Sequence, residues 1–341
     1  MAKQAIFDKK NILITGGAGF IGSFLCDELI RENKVICVDN FISGDEKNID
    51  HLLSNSDFAF IKHDISKPID LELRPELEKF RIKFQGVQEI YNLACPTSPR
   101  NFMEKRIDTV LANSLGVKNS LDLAVKYKAK YMHFSSAVVY GPRRPDMERF
   151  NEYYMGYLDP NSPRSSYDEG KRFAETLVTN YREVYDIDAK IARVFRTYGP
   201  RMKLHEGHML PDFISNALDN KDLVIYGDDN FSSALLFITD LISAVKKFMA
   251  SGETGPMNFG GEHAYKIIDV ARIVIEKSGS HSKIVYKDPL LFMSPLGIPD
   301  ISLAKERIGW FPIVLVEDGI QEAIDFLKAN KPLVPIDSDL L

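Results

Sequence analysis

Cysteine is scarce in this chain, with three in 341 residues, at Cys26, Cys37 and Cys95. A sparse, odd set beside apolar segments excludes a disulfide scaffold and a cysteine-built metal centre. It reads as reduced thiols in a cytoplasmic protein. His205 and His208 have the spacing of a ligand pair, with Glu206 between them, but no cysteine or further histidine completes a ligand set. They read as loop residues, and no metal is expected. Excess charge of one sign is also missing, since 43 Lys and Arg against 48 Asp and Glu give a net charge of −5. That balance offers no basic field for nucleic acid or for an anionic membrane. The opening residues, 1–10, lack the apolar core of a secretory signal, and no apolar run approaches the length of a bilayer span. Internal repeats and low-complexity tracts are absent as well. What is there is an ordinary globular composition, 45% hydrophobic and 27% charged, on a chain long enough for about two domains.

The most informative stretch is 10–22, KNILITGGAGFIG. Ile12, Leu13 and Ile14 form the short apolar run of a fully buried parallel strand. Gly16, Gly19 and Gly22 follow at intervals of three, and Phe20, Ile21, Phe24 and Leu25 then fall at helical spacing. A strand, a glycine turn and a helix start make an anion site, because bare N–H groups and the helix dipole face a pyrophosphate that side chains would block. A second apolar strand at 35–38 ends in Asp39 and Asn40, about where a ribose-binding acid belongs. An acid there repels a 2′-phosphate, so NAD is expected over NADP.

Strand and helix patterns then alternate, as in a Rossmann-type doubly wound parallel sheet. Strands are expected at 58–61, 87–93, 131–135 and 189–195, with helices at 105–126 and 166–185 and a loop at 142–163. After Pro200 the alternation loosens into a smaller mixed α/β lobe. Helices are expected there at 209–218, 239–249, 301–308 and 316–328, and strands at 223–226, 257–259 and 284–286. The expected division is an NAD-binding domain over 1–200, a mainly substrate-binding lobe over 201–330 that the chain enters and leaves more than once, and a polar tail over 331–341.

Ligands gather at the carboxyl ends of such strands. Ser136 lies just past the fifth strand, and Tyr167 and Lys171 lie four apart on the next helix, hence on one face. A lysine charge and an oxidised nicotinamide both favour the phenolate, which makes Tyr167 a general base toward a substrate hydroxyl oriented by Ser136. GGAGFIG, this triad and TYGPR at 197–201 resemble the extended short-chain dehydrogenase/reductases that modify nucleotide sugars, over about 10–328. YNLACPTSP (91–99), PRSSYDEGKRFAE (163–175), RVFRTYGPRM (193–202) and PDISLAKERIGW (299–310) are most similar to UDP-glucuronate decarboxylases. The resemblance implies tightly held NAD, oxidation at sugar C4 and a homodimer formed through helices of the Rossmann lobe. It assigns Asp64 and Ile65 to the adenine, Ala94 and Asn113 to the length of the cofactor, and Tyr167 and Lys171 to the nicotinamide ribose. Pro96, Arg196, Arg201 and Ser233 are the expected substrate contacts.

Some positions depart from that family. Decarboxylases carry Thr-Ser-Glu-Val-Tyr-Gly after the fifth strand, whereas this chain has Val138 in place of the glutamate. Valine moves no proton, which disfavours 4,6-dehydration, and Ser-Ser-Ala at 135–137 is similar to sugar 4-epimerases. Arg196 replaces an asparagine, Ser233 replaces a phosphate-binding arginine, and 294–301 lacks the arginine that precedes PDI. The leading expectation is therefore a nucleotide-sugar 4-epimerase. The alternatives are a UDP-glucuronate decarboxylase, a nucleotide-sugar 4-dehydrogenase and, from another class, a non-catalytic NAD(H) sensor.

Overall fold

The structure is a computed structural model that describes residues 9–144, 146–228, 231–289, 295 and 297–330. The expected polar tail at 331–341, most of the opening stretch and part of 294–301 lie outside the described residues. Seven parallel strands form the central sheet. They are β1 (Asn11–Thr15), β2 (Lys34–Asp39), β3 (Phe58–Lys62), β4 (Glu89–Asn92), β5 (Lys130–Ser136), β6 (Ala189–Val194) and β7 (Pro256–Phe259). Their spatial order is β7-β6-β5-β4-β1-β2-β3. The chain goes from β1 outward to β2 and β3, then restarts at β4 on the other flank of β1. That reversal opens a crevice above the carboxyl ends of β1 and β4, where the glycine turn begins.

The main helices are α1 (Phe20–Leu29), α2 (Arg106–Leu111), α3 (Val117–Tyr127), α4 (Ser165–Tyr185), α5 (Met209–Leu218), α6 (Ile238–Ala250), α7 (Ile267–Ser278), α8 (Ser302–Ile308) and α9 (Val316–Asn330). Side chains alternate across each strand, so successive residues enter different cores. Leu13, Ile36, Ile90 and Tyr131 pack with Val117 and Leu121 of α3 and Ala174 and Val178 of α4. Ile12, Ile14, Val35 and Cys37 pack on the opposite face with Leu25 and Cys26 of α1 and Leu241 and Val245 of α6. This two-sided burial explains why the strands read as unbroken apolar runs. Among the described residues, no helix is long and apolar enough to cross a membrane.

The helix expected as unbroken over 105–126 is instead α2 and α3 joined by a wide π turn at Ala112–Gly116. The buried Asn113 lies in that turn, its amide donating to the Thr109 carbonyl and to Cys95 Sγ. A single wide turn of this kind interrupts the regular i→i−4 hydrogen-bond ladder. The expected loop at 142–163 carries a short strand, Arg149–Phe150, paired in parallel with Ile298–Pro299. No pattern of two residues announces such a strand. The strand expected at 257–259 is not local to the second half, because as β7 it pairs with β6 and closes one edge of the sheet.

Candidate active site

One cavity of about 1820 Å³ runs along the carboxyl ends of the strands, larger than a single small ligand needs. Gly16, Gly19, Phe20, Ile21 and Gly22 line one end, with Asp39, Asn40, Asp64, Ile65 and Ala94. Gly16 has φ +73°, and a Cβ there would meet the Ala94 nitrogen at 2.8 Å, so only glycine turns the chain here. A Cβ on Gly22 would meet the Gly16 carbonyl oxygen at 2.2 Å, which makes the third glycine the condition for seating α1 on the turn. Gly19 caps α1 with no side-chain hydrogen bond, leaving the first-turn N–H groups to a ligand. Asp39 accepts from Ala18 N at 3.0 Å and from Phe41 N at 2.8 Å. These bonds fix the carboxylate in place, and lone pairs remain for a ribose hydroxyl.

At the other end Ser136, Tyr167 and Lys171 come together, also on the cavity wall. Ser136 ends β5 and hydrogen-bonds Tyr167, which pulls its phenol down. Burial is the larger effect and, with Cys95 beside the ring, drives the phenol well above its ordinary value. Lys171 Nζ donates to the Phe134 carbonyl at 2.8 Å and sits 5.9 Å from the Tyr167 ring centroid. Burial also presses the Lys171 ammonium below its ordinary range. The lysine is thus fixed to the backbone of β5. Val138 packs against Tyr167 with Cys95 alongside, so the inner wall of the phenol pocket is apolar where a glutamate was looked for. Asn113 stands behind Cys95 rather than on the cavity wall.

The expected substrate contacts separate. Pro96, Arg196 and Arg201 line the cavity. Arg201 Nη2 pairs with Asp27 of α1 at 2.7 Å and its guanidinium lies 4.5 Å from the Phe24 ring centroid, so it braces α1. Ser233 is not on the cavity wall; it is buried in the strand Ser232–Ala234, opposite Tyr265 of a neighbouring strand. Of the two histidines, His205 is exposed, but His208 is half-buried on the cavity wall beside Arg196.

Sequence reasoning missed a buried support behind the site. Glu175 receives Arg193 through both carboxylate oxygens, at 2.9 and 2.7 Å, and Ser135 Oγ at 2.5 Å. Arg193 also donates to Tyr140 Oη and the Glu152 carbonyl. Glu175 stands one helical turn beyond Lys171, a spacing that could have revealed it.

A family model described as the NAD dependent epimerase/dehydratase family matches residues 12–261. The chain belongs to that family. It is 34% identical to UDP-glucuronic acid decarboxylase 1 of Xenopus tropicalis over 335 residues, 96% of this chain and 76% of the relative. Identity to UDP-glucuronic acid decarboxylase 6 of Arabidopsis thaliana is 35% over 314 residues, 91% of this chain and 86% of the relative. Among solved structures, UDP-glucuronic acid 4-epimerase from Bacillus cereus, in complex with UDP-glucuronic acid and NAD, superposes with a TM-score of 0.80 at 26% identity. That match covers 94% of this chain and 99% of the other. The family membership makes the protein an enzyme, so the sensor reading falls away, and it makes NAD the cofactor. The residues fit NAD: the bare glycine turn, the uncapped start of α1 and the anchored Asp39 are a dinucleotide's donor and acceptor set. The curated relatives back the decarboxylase alternative better than the 4-epimerase that led the sequence reading.

Proposed function

We propose that the protein oxidises a UDP-linked uronic acid transiently at sugar C4 and releases its carboxylate as CO₂, as UDP-glucuronate decarboxylases do. The observation that carries this reading is the likeness to curated decarboxylases along nearly the whole chain. When bound, NAD would accept the hydride from sugar C4, give the same hydride back when the alcohol re-forms, and supply a positive charge that draws down the Tyr167 phenol. Ser136 Oγ orients the C4 hydroxyl, and Tyr167 Oη takes its proton. A ketone at C4 stands β to the C6 carboxylate. The C5–C6 bond breaks, its electron pair enters the C4 carbonyl as an enolate, and CO₂ leaves. Water in the cavity returns a proton to C5, and Tyr167 gives its proton back to O4 as the alcohol re-forms. The apolar wall at Val138 and Cys95 keeps water from the inner side of the phenol.

C4 epimerisation of the same substrate is the second reading, and Val138 favours it, since inversion needs no acid at that position. Both readings share substrate, cofactor and first step. Incubation with UDP-glucuronate, alongside other UDP-, GDP-, CDP- and dTDP-sugars, separates them by mass spectrometry and NMR. Loss of CO₂ supports the first reading, an isobaric product inverted at C4 replaces it with the second, and no turnover of UDP-glucuronate sinks both. A homodimer is part of the proposal. Exposed Ile107, Val110 and Leu111 on α2, Leu115 in the π turn and Phe173 on α4 form an apolar helical surface that supports it. Light scattering at the mass of one chain would overturn the dimer.

A further inference from the structure

Arg196 is a cation on the cavity wall that the described residues leave unpaired. Its backbone is fixed, since its carbonyl accepts from Leu236 N at 2.9 Å and the next residues, Thr197 and Tyr198, pair with Leu236 and Phe237. It lines the cavity, half-buried, and among the described residues its guanidinium has no hydrogen bond or ion pair. Its charged neighbours on this wall make matters worse. Arg164 is close enough to repel it, and His208 feels its charge. The nearby carboxylates are committed elsewhere. Asp168 takes two hydrogen bonds from Arg164, and Glu206 accepts from Ser98 and faces Lys203. A guanidinium drawn out of bulk water beside other cations is costly to hold without a counter-charge, and an anion in the cavity offsets that cost.

Position says which anion. Ser136 pairs in register with Val194 on the adjacent strand, so Arg196 stands two residues past the partner of the serine that orients the C4 hydroxyl. Arg164 caps the start of α4, and its carbonyl accepts from Tyr167 N at 2.9 Å. Both cations therefore belong to the reacting end of the sugar, where a uronate carries its carboxylate on the carbon next to C4. The diphosphate is attached across the ring at C1. We infer that Arg196, with Arg164 behind it, is the carboxylate subsite of this enzyme and selects nucleotide-linked uronic acids over neutral sugars. A planar guanidinium matches a carboxylate through two parallel hydrogen bonds, which the asparagine of related sequences cannot supply as a charged pair.

The inference rests on the proposed uronate substrate, and the two are separable by experiment. Calorimetric titration with UDP-glucuronate, UDP-glucose and UDP is done on NAD-loaded protein whose turnover is blocked by Tyr167→Phe, with the natural Arg196, with Arg196→Asn and with Arg196→Lys. The carboxylate subsite predicts that Arg196→Asn weakens UDP-glucuronate by about 10- to 100-fold, leaves UDP-glucose and UDP within about threefold, and that Arg196→Lys restores part of the loss. Equal losses for all three ligands overturn it and make Arg196 a diphosphate ligand. Unchanged UDP-glucuronate affinity overturns it as well. Failure of the protein with the natural Arg196 to prefer UDP-glucuronate over UDP-glucose defeats the uronate reading itself, before any Arg196 variant is measured. Matching thermal melting curves of the ligand-free variants establish that the comparison is between folded proteins.

Discussion

Replacing Glu175 by Gln tests whether the buried ion pair behind the site holds it together. Each partner of the Glu175–Arg193 pair has a side chain only 12% exposed. The carboxylate collects two guanidinium hydrogen bonds, at 2.9 and 2.7 Å, and one from Ser135 at 2.5 Å. Glutamine keeps the shape but removes the charge, and one of its polar atoms must turn an N–H toward a donor. Arg193 is then a buried cation without a counter-charge. Breaking such a pair from one side costs about 3–5 kcal/mol. Arg193→Met breaks it from the other side at similar cost. The double variant removes both charges together, so its loss falls short of the sum by about 2 kcal/mol, within the range found for contacting residues. Equilibrium unfolding in urea measures all three, with NAD at one fixed concentration because bound cofactor shifts the balance. Ser135 adjoins Ser136, and Glu175 supports the charge of Lys171, so kcat falls with stability. A single-variant loss under about 1 kcal/mol, the level of an exposed pair, or strict additivity in the double variant, refutes the reasoning.

Tyr167→Phe removes the proton carrier while leaving the ring in its apolar pocket. Turnover drops about 10²- to 10⁴-fold with NAD content of the purified protein unchanged, and cofactor loss would show that the hydroxyl acts in binding instead. Gly22→Ala puts a Cβ against the Gly16 carbonyl at 2.2 Å, so the turn and α1 must separate; purified variant carrying a full complement of NAD contradicts this. Asp39→Asn keeps the contact with Phe41 N but removes the repulsion of a 2′-phosphate. The ratio of NADP to NAD affinity rises, and an unchanged ratio shows that discrimination lies elsewhere. Burial and the charge of Arg196 press His208 from 6.5 down to about 4. The unfolded imidazole then binds a proton at a pH where the folded one does not, so stability is lost as the pH falls from about 6.5 towards 4. His208→Gln flattens urea midpoints across that window, and an unaltered slope removes His208 as the cause.

Much of the site was legible because it depends on short-range rules. The spacing of Gly16, Gly19 and Gly22 announces a turn whose first and third glycines leave no room for a side chain, and Tyr167 and Lys171 share a face because a helix repeats every 3.6 residues. Contacts between distant segments are illegible for the same reason. Nothing local says that Arg201 will reach back to Asp27 or that Ser233 will be buried opposite Tyr265. The π turn at 112–116 has no local signal in the sequence, and its Asn113 is tied to Cys95 on another segment.

The sequence by itself determined the alternation of strand and helix, the glycine turn and the shared helix face of Tyr167 and Lys171, all of which follow from periodicity and spacing within one segment. Tertiary structure decided which distant groups meet. It brought β7 from residue 256 onward to the edge of the sheet, set Glu175 and Arg193 behind Ser135, and left Arg196 among cations on the cavity wall. Charge is the physical reason for the difference. A side chain's partners, and so its pKa and its readiness to bind an anion, are fixed only when chain segments far apart in sequence are packed within a few ångströms of one another.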